Sequence, residues 1–206
     1  MWSALTVDIS LTFRNMIDMN KINTEVSFVV RTTDFCGHDL TEMHNAIPNL
    51  VTLIDHKHDA MENFLAAMNY SDGPIVHLED DIILCDDFYN RVMEAIAQYP
   101  DTVIQFFSMR KDDLTKGTRF VPGSTFSMNQ CFYLPAGIGP RIAEFWKTSS
   151  RQEEAGAPYD LLMADFFKSN KMKYLIWVPN LVDHKVCCSR IDSRRSSKRQ
   201  SLTFKK

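Results

Sequence analysis

No apolar run in this chain approaches the roughly 20 residues that a bilayer-spanning helix needs, so no membrane span is expected. The segment Met1-Trp2-Ser3-Ala4-Leu5-Thr6-Val7-Asp8 has no basic leader region, and a secretory signal peptide is not expected. Cysteine is sparse: Cys36, Cys85, Cys131, Cys187 and Cys188 form no C-x-x-C pair, and their odd number argues against a disulfide framework. That usage fits a reducing cytoplasm, and no ligand spacing supports a zinc site. There is no internal repeat. What is present is ordinary for a globular protein: 206 residues, 45% hydrophobic and 24% charged, enough for one α/β domain with a substantial core.

The charge is unevenly spread. From Lys185 to Lys206 eight basic residues face one acid, Asp192, so this segment carries +7 and the net −3 leaves −10 for the rest. An acidic body with a basic tail suggests that the tail meets anions: a diphosphate, nucleic acid, a membrane surface or the body's own acidic cleft. It also reads as a solubilising tail. Phe204 is its only aromatic residue, so base stacking there is not supported.

The most informative segment is Pro74-Ile75-Val76-His77-Leu78-Glu79-Asp80-Asp81-Ile82-Ile83-Leu84. It reads as a buried strand running into three consecutive carboxylates. Adjacent negative charges at the edge of a core repel one another and are costly without a cation among them. Oxygen ligands of this kind suit Mg²⁺ or Mn²⁺, which also bind substrate phosphate. The alternative is a solvated acidic turn.

Around this segment, strands and helices alternate. Strands are expected at 25–31, 49–54 and 102–109, and helices at 40–47 (stopped by Pro48), 59–68 and 88–98, the last capped by Asp86-Asp87. Such alternation predicts βαβ units and a mostly parallel sheet, with ligands at the carboxyl ends of the strands. Asp55 and the Glu79–Asp81 cluster both fall there. The second half is less regular: a mobile loop over 111–123, a strand over 124–134, helices over 140–148 and 158–169, and a strand over 173–178. Residues 1–20 are the least defined, with a strand at 4–13 and a short helix at 14–20 as one reading.

The order of elements, the motif "VHLEDDIIL" followed by "CDDF", and the closing "WVPNLVDHKVCCSRID" (Trp177–Asp192) are together similar to glycosyltransferases of the GT-A fold. The small bacterial and bacteriophage members are the most similar. The resemblance spans Glu25 onward. It implies a GT-A catalytic domain over 1–184 and a basic tail over 185–206 that closes over the donor. It further implies transfer of a sugar from a nucleotide-diphosphate donor, a UDP-sugar being favoured, with Mn²⁺ or Mg²⁺ as cofactor. On this resemblance Asp81 is the metal ligand and Glu79 its partner, with Glu standing where the family has Asp. Asp80 lies near the ribose or donor sugar. His184 completes the metal site, or is a structural histidine at a strand end.

Nucleotide contacts are expected from Arg31 and Thr32 as a wall of the base pocket, and from Asp55, unless Asp55 is a turn residue. Lys57 would contact a phosphate or stay in a solvated loop, and Asn63 would point back to the donor. Ser189, Arg190, Arg194, Arg195, Lys198 and Arg199 would close over the pyrophosphate, since guanidinium groups pair with phosphate oxygens in bidentate fashion. Asp160, in the first turn of its helix, is the first choice for catalytic base and Asp165 the second. An acid in a first turn is also stabilised by the helix dipole alone. The surplus basic charge leaves room for a polyanionic acceptor. A modified base in DNA and a cell-surface glycan precursor both fit. A nucleotidyltransferase of the same fold would usually carry a Gly-rich basic loop after the first strand, and Val29–Gly37 contains one glycine. The remaining alternative is an accessory protein that binds nucleic acid through its tail.

Overall fold

Side chains along the first strand alternate between two faces, and that alternation places both the core and the site. In β1 (Ser27–Thr33), Phe28 and Val30 enter one hydrophobic cluster and Val29 the other. In β3 (Ile75–Glu79), Val76 and Leu78 share the first cluster and Ile75 the second. Both strands are buried on both faces, as expected of the interior of a sheet that is covered on both sides. The computed structural model describes residues 26–34, 38–154, 156, 158–186 and 199–206.

Further strands are β2 (Val51–Asp55), β4 (Ile82–Leu84), β5 (Ile104–Gln105), β6 (Arg119–Pro122), β7 (Cys131–Leu134), β8 (Lys173–Ile176) and β9 (Val182–His184). Among the described residues, seven strands form one sheet in the order β2-β1-β3-β7-β5-β8-β6, and β4 pairs with β9 in a second. Strands β1, β2, β3, β5 and β8 run one way, while β6 and β7 run against them. The protein is thus α/β, with a mixed sheet in which most strands are co-directional.

Helices α1 (Thr41–Ala46) and α3 (Phe88–Gln98) cover the face carrying Val30, Val76 and Leu78. Helices α2 (Ala60–Met68), α5 (Ile138–Trp146) and α6 (Tyr159–Ser169) cover the face carrying Val29, Ile75 and Phe132. A short α4 (Asp113–Lys116) lies outside these layers. No helix among the described residues is long and apolar enough to cross a membrane. Cys85 and Cys131 are buried free thiols.

Local chemistry sets the boundaries. Asp59 caps α2 by accepting from Met61 N at 3.0 Å and Glu62 N at 2.9 Å. Asp39 serves the start of α1 one residue outside the cap, accepting from Thr41 N at 2.9 Å. Asp87 does not cap α3 in the expected way: its backbone is left-handed (φ 54°) and its carboxylate accepts from the Asn90 side chain at 2.5 Å. The 102–109 strand shortens to Ile104–Gln105, because beyond Phe106 the chain is held by loop partners; Ser108 N, for example, donates to Asn180 Oδ1 at 2.9 Å. The strand expected over 124–134 forms only as Cys131–Leu134, preceded by a 3₁₀ turn at Gly123–Thr125. The expected loop over 111–123 instead contains α4 and the edge strand β6. Pro122 is tolerated in β6 because an edge strand leaves one side unpaired. At Gly123 a Cβ would lie 2.7 Å from Met172 O and collide with the Phe167 Cβ, so the close packing of this turn on α6 requires glycine.

Candidate active site

Parity along the strands brings three polar side chains together. Arg31 has the same parity as Val29, and His77 and Glu79 the same parity as Ile75, so all three project on the α2/α6 face. The parallel register sets Arg31 opposite Glu79. Arg31 donates from Nε to His77 Nε2 at 2.7 Å, and from its terminal nitrogens to Ala60 O at 3.2 Å and Glu79 Oε1 at 3.1 Å. Its guanidinium carbon lies 5.3 Å from the Phe64 ring centroid and 4.8 Å from that of Tyr159. Burial, reinforced by the Arg31 charge, holds the His77 pKa well below its ordinary value, so this imidazole is neutral and accepts the hydrogen bond from Arg31 Nε–H. Burial likewise raises the Tyr159 phenol, and the nearby Glu79 carboxylate adds to the effect.

Glu79 is pushed up to about 7, first by burial and next by Asp81, with Arg31 opposing and Asp160 adding a further negative charge. Glu79, Asp81 and the first-turn Asp160 of α6 therefore share one field. Asp80 faces the other way and is held by Thr32 Oγ1, which donates at 2.7 Å, and by His38 N at 3.3 Å.

His184 arrives through the second sheet. The antiparallel pairing of β4 with β9 sets Ile82 opposite His184, and Lys185 N donates to Asp81 O at 2.7 Å. The fully buried imidazole thereby stands with Nε2 3.0 Å from Asp81 Oδ2. Burial raises the Asp81 pKa, but the His184 contact and the charges of His184 and Arg199 outweigh it and leave the group below its ordinary value. Asp81 Oδ1 and His184 Nδ1 are buried with no hydrogen-bond partner among the described residues. Arg199 approaches the same His184 Nε2 at 2.8 Å.

The 3.0 Å between Asp81 Oδ2 and His184 Nε2 is an ordinary hydrogen-bond separation, and a carboxylate beside an imidazole is also a donor pair that would suit a divalent ion such as Mn²⁺. The buried, partnerless Asp81 Oδ1 also suits a ligand oxygen. Among the described residues no group of three or more His, Cys, Asp or Glu side chains stands ready to hold a metal. An ion bound here would have Asp81 and His184 as its protein ligands and would need water or substrate oxygens besides.

Other expected residues lie apart from this centre or serve it indirectly. Arg31 is buried and supports Glu79 from inside the fold. Asp55, at the carboxyl end of β2, accepts from Lys57 N and Asp59 N, both at 3.1 Å, and so organises its own turn. Lys57 pairs with Glu62 at 2.5 Å on the surface. Asn63 is buried and donates to Leu53 O at 3.4 Å. Asp165 pairs with Arg151 at 2.5 Å. Ser189, Arg190, Arg194, Arg195 and Lys198 lie outside the described residues.

The sequence reading did not single out His77, Phe64 or Tyr159. The parity of His77 with Glu79 was the available signal. A cavity of about 300 Å³ opens beyond the end of β5, lined by Gln105, Ser108, Met109, Arg110, Ser127 and Met128. Gln105 donates to the carbonyls of Ser127 and Met128, pinning Met128 in a left-handed conformation (φ 72°). No protein-family model matches this chain, and no curated protein matches it significantly.

Proposed function

We propose that the protein is a metal-dependent glycosyltransferase of the GT-A type, moving a sugar from a nucleoside-diphosphate donor to a hydroxyl acceptor. The observation that carries this reading is the convergence of Asp81 Oδ2 and His184 Nε2 at 3.0 Å beside Glu79, at the carboxyl edge of a mixed α/β sheet. Mn²⁺ or Mg²⁺ bound by Asp81 and His184 would act as a Lewis acid on the leaving diphosphate. An imidazole ligand favours Mn²⁺.

The chain's own residues supply the rest. Arg31 keeps Glu79 in place, and Glu79 orients the metal-side waters or the ribose. Thr32 Oγ1 and His38 N hold Asp80 on the side away from Glu79. Asp160 takes the proton from the acceptor hydroxyl as its oxygen bonds to the anomeric carbon and the diphosphate leaves with the electron pair of the broken C–O bond. A DNA base carrying a hydroxyl and a glycan precursor are the two acceptor classes to try, the first because of the basic tail.

The test is calorimetric titration of UDP and GDP with and without Mn²⁺, in wild type and Asp81→Asn. Mn²⁺-dependent binding of one nucleotide, lost in the variant, is the expected result. Absence of nucleotide binding with every metal would overturn the reading.

A further inference from the structure

We propose that the Arg199 guanidinium is a tethered cation that holds the divalent ion's place beside Asp81 and His184, and that it yields this place when metal and a nucleoside diphosphate arrive. The inference rests on the glycosyltransferase reading for the identity of the ion.

Hydrogen-bond chemistry at one atom motivates it. His184 Nε2 lies 3.0 Å from Asp81 Oδ2 and 2.8 Å from Arg199. Arginine can only donate, and an ionised carboxylate can only accept. If Nε2 carries a proton for Asp81, the guanidinium has no lone pair to meet. If Nε2 accepts from Arg199, its lone pair and that of Asp81 converge on one point and need positive charge beside it. An aspartate carboxylate is ordinarily ionised at neutral pH, and Arg199, 2.8 Å from the same His184 Nε2, is the cation at hand. A divalent ion meets the same two lone pairs more directly. Metal and guanidinium are thus alternative answers to one electrostatic problem.

Arg199 is delivered there by a built anchor. Ser201 N donates to Asp183 Oδ1 at 2.7 Å, and that same oxygen accepts from His184 N at 2.9 Å. Ser201 Oγ donates to Asn180 Oδ1 at 2.7 Å and accepts from Thr203 N and Phe204 N, each at 3.1 Å. Asn180 N donates to Thr203 Oγ1 at 3.2 Å, and Phe204 packs on the α1/α3-side core. The anchor fixes the backbone two residues from Arg199, so the exchange needs only a side-chain rotation. The guanidinium is also incompletely satisfied where it sits: its Nε is buried with no partner among the described residues. It is held there by charge rather than by a full set of hydrogen bonds. Once displaced, it remains within side-chain reach of the ion, where a bound diphosphate brings new negative charge for it to pair with.

The prediction has opposite signs for two ligands. In the full chain stripped with chelator, Mn²⁺ alone is titrated and the free aquo ion is followed by electron paramagnetic resonance. UDP is then titrated at saturating Mn²⁺. Arg199→Gln raises Mn²⁺ affinity about tenfold, the effect of removing one partly screened unit charge beside the ion. It lowers UDP affinity by a similar factor. Arg199→Lys, which keeps the charge, stays within about threefold of wild type for Mn²⁺. Arg199→Met repeats the measurement should the glutamine variant fail to fold.

Unchanged or weakened Mn²⁺ binding in Arg199→Gln, with wild-type binding intact and lost in Asp81→Asn, overturns the exchange and leaves the metal site standing. Absence of Mn²⁺ binding in wild type and in every Arg199 variant overturns both.

Discussion

Arg31 and Glu79 form a largely buried ion pair at 3.1 Å, set directly opposite one another by the parallel register of β1 and β3. The Arg31 guanidinium also packs against Phe64 and Tyr159, whose rings stack on one another with centroids 5.1 Å apart. Arg31→Met should cost about 3 kcal/mol of unfolding free energy, because breaking a buried pair leaves the partner charge uncompensated. Arg31→Lys should recover less than half of that. A single ammonium cannot reach His77, Ala60 O and Glu79 with the geometry of the guanidinium fork. Urea unfolding measures both.

The pH dependence of stability has two opposing parts. Glu79 titrates near 7 in the folded protein against an ordinary 4.5, so between these values the folded state keeps a proton that the unfolded state has lost. Its contribution to stability falls as pH rises through that window. His77 is held well below its ordinary 6.5, so as pH falls below that value only the unfolded state gains the proton. Its contribution falls as pH falls. Near pH 5–6.5 the two trends oppose one another in the metal-free protein. In Glu79→Gln only the histidine remains, and stability should drop on acidification from pH 7 to 5 by up to about 1.4 kcal/mol per unit. Chemical denaturation at several pH values in chelator checks this. A variant that gains stability on acidification would refute the His77 assignment.

Asp160→Asn should lower the rate of sugar transfer by about 10²–10⁴ and leave Mn²⁺–UDP binding within about twofold of wild type, since the side chain meets the acceptor rather than the nucleotide. Single-turnover assays with a labelled donor, paired with nucleotide titration, separate the two quantities. Equal losses in binding and turnover would move Asp160 from the proton-transfer role to donor binding.

Ser201→Ala removes the hydroxyl at the centre of the anchor, with its one donated and two accepted hydrogen bonds. Release of residues 199–206 from the body should become easier by about 1–2 kcal/mol. Hydrogen exchange at Thr203 N and Phe204 N reads this directly. Protection there unchanged from wild type would contradict the anchor.

Much of the frame was legible because it rests on local signals. The acidic strand and the helices at 60–68 and 88–98 follow from runs and motifs within a few residues of one another, whereas His184 meets Asp81 through the long-range pairing of β4 with β9 and was expected there only from the resemblance. Arg31 was legible as a strand-end residue but not as a support for Glu79. That role depends on cross-strand register, which no local pattern specifies. Strand β6 was missed because four residues bounded by Gly117 and Pro122 carry little periodicity, and partnership with β8 supplies what propensity did not. Asp55 and Lys57 were read as nucleotide contacts by position alone, and the structure commits one Asp55 oxygen to its own turn and the Lys57 ammonium to Glu62.

The pairing of β4 with β9 also fixes an order in time. Lys185 and Asp80 touch across 105 residues of sequence. At the usual rate of synthesis, on the order of 5–20 residues per second, that gap corresponds to roughly 5–20 seconds. Throughout that interval a nascent chain carries Glu79, Asp80 and Asp81 with neither the imidazole nor Arg199 beside them. The carboxylates must stay hydrated while β1, β2 and β3 are already able to pair. The centre can therefore close only after residue 184 has been made, and its Arg199 contact only after residue 199.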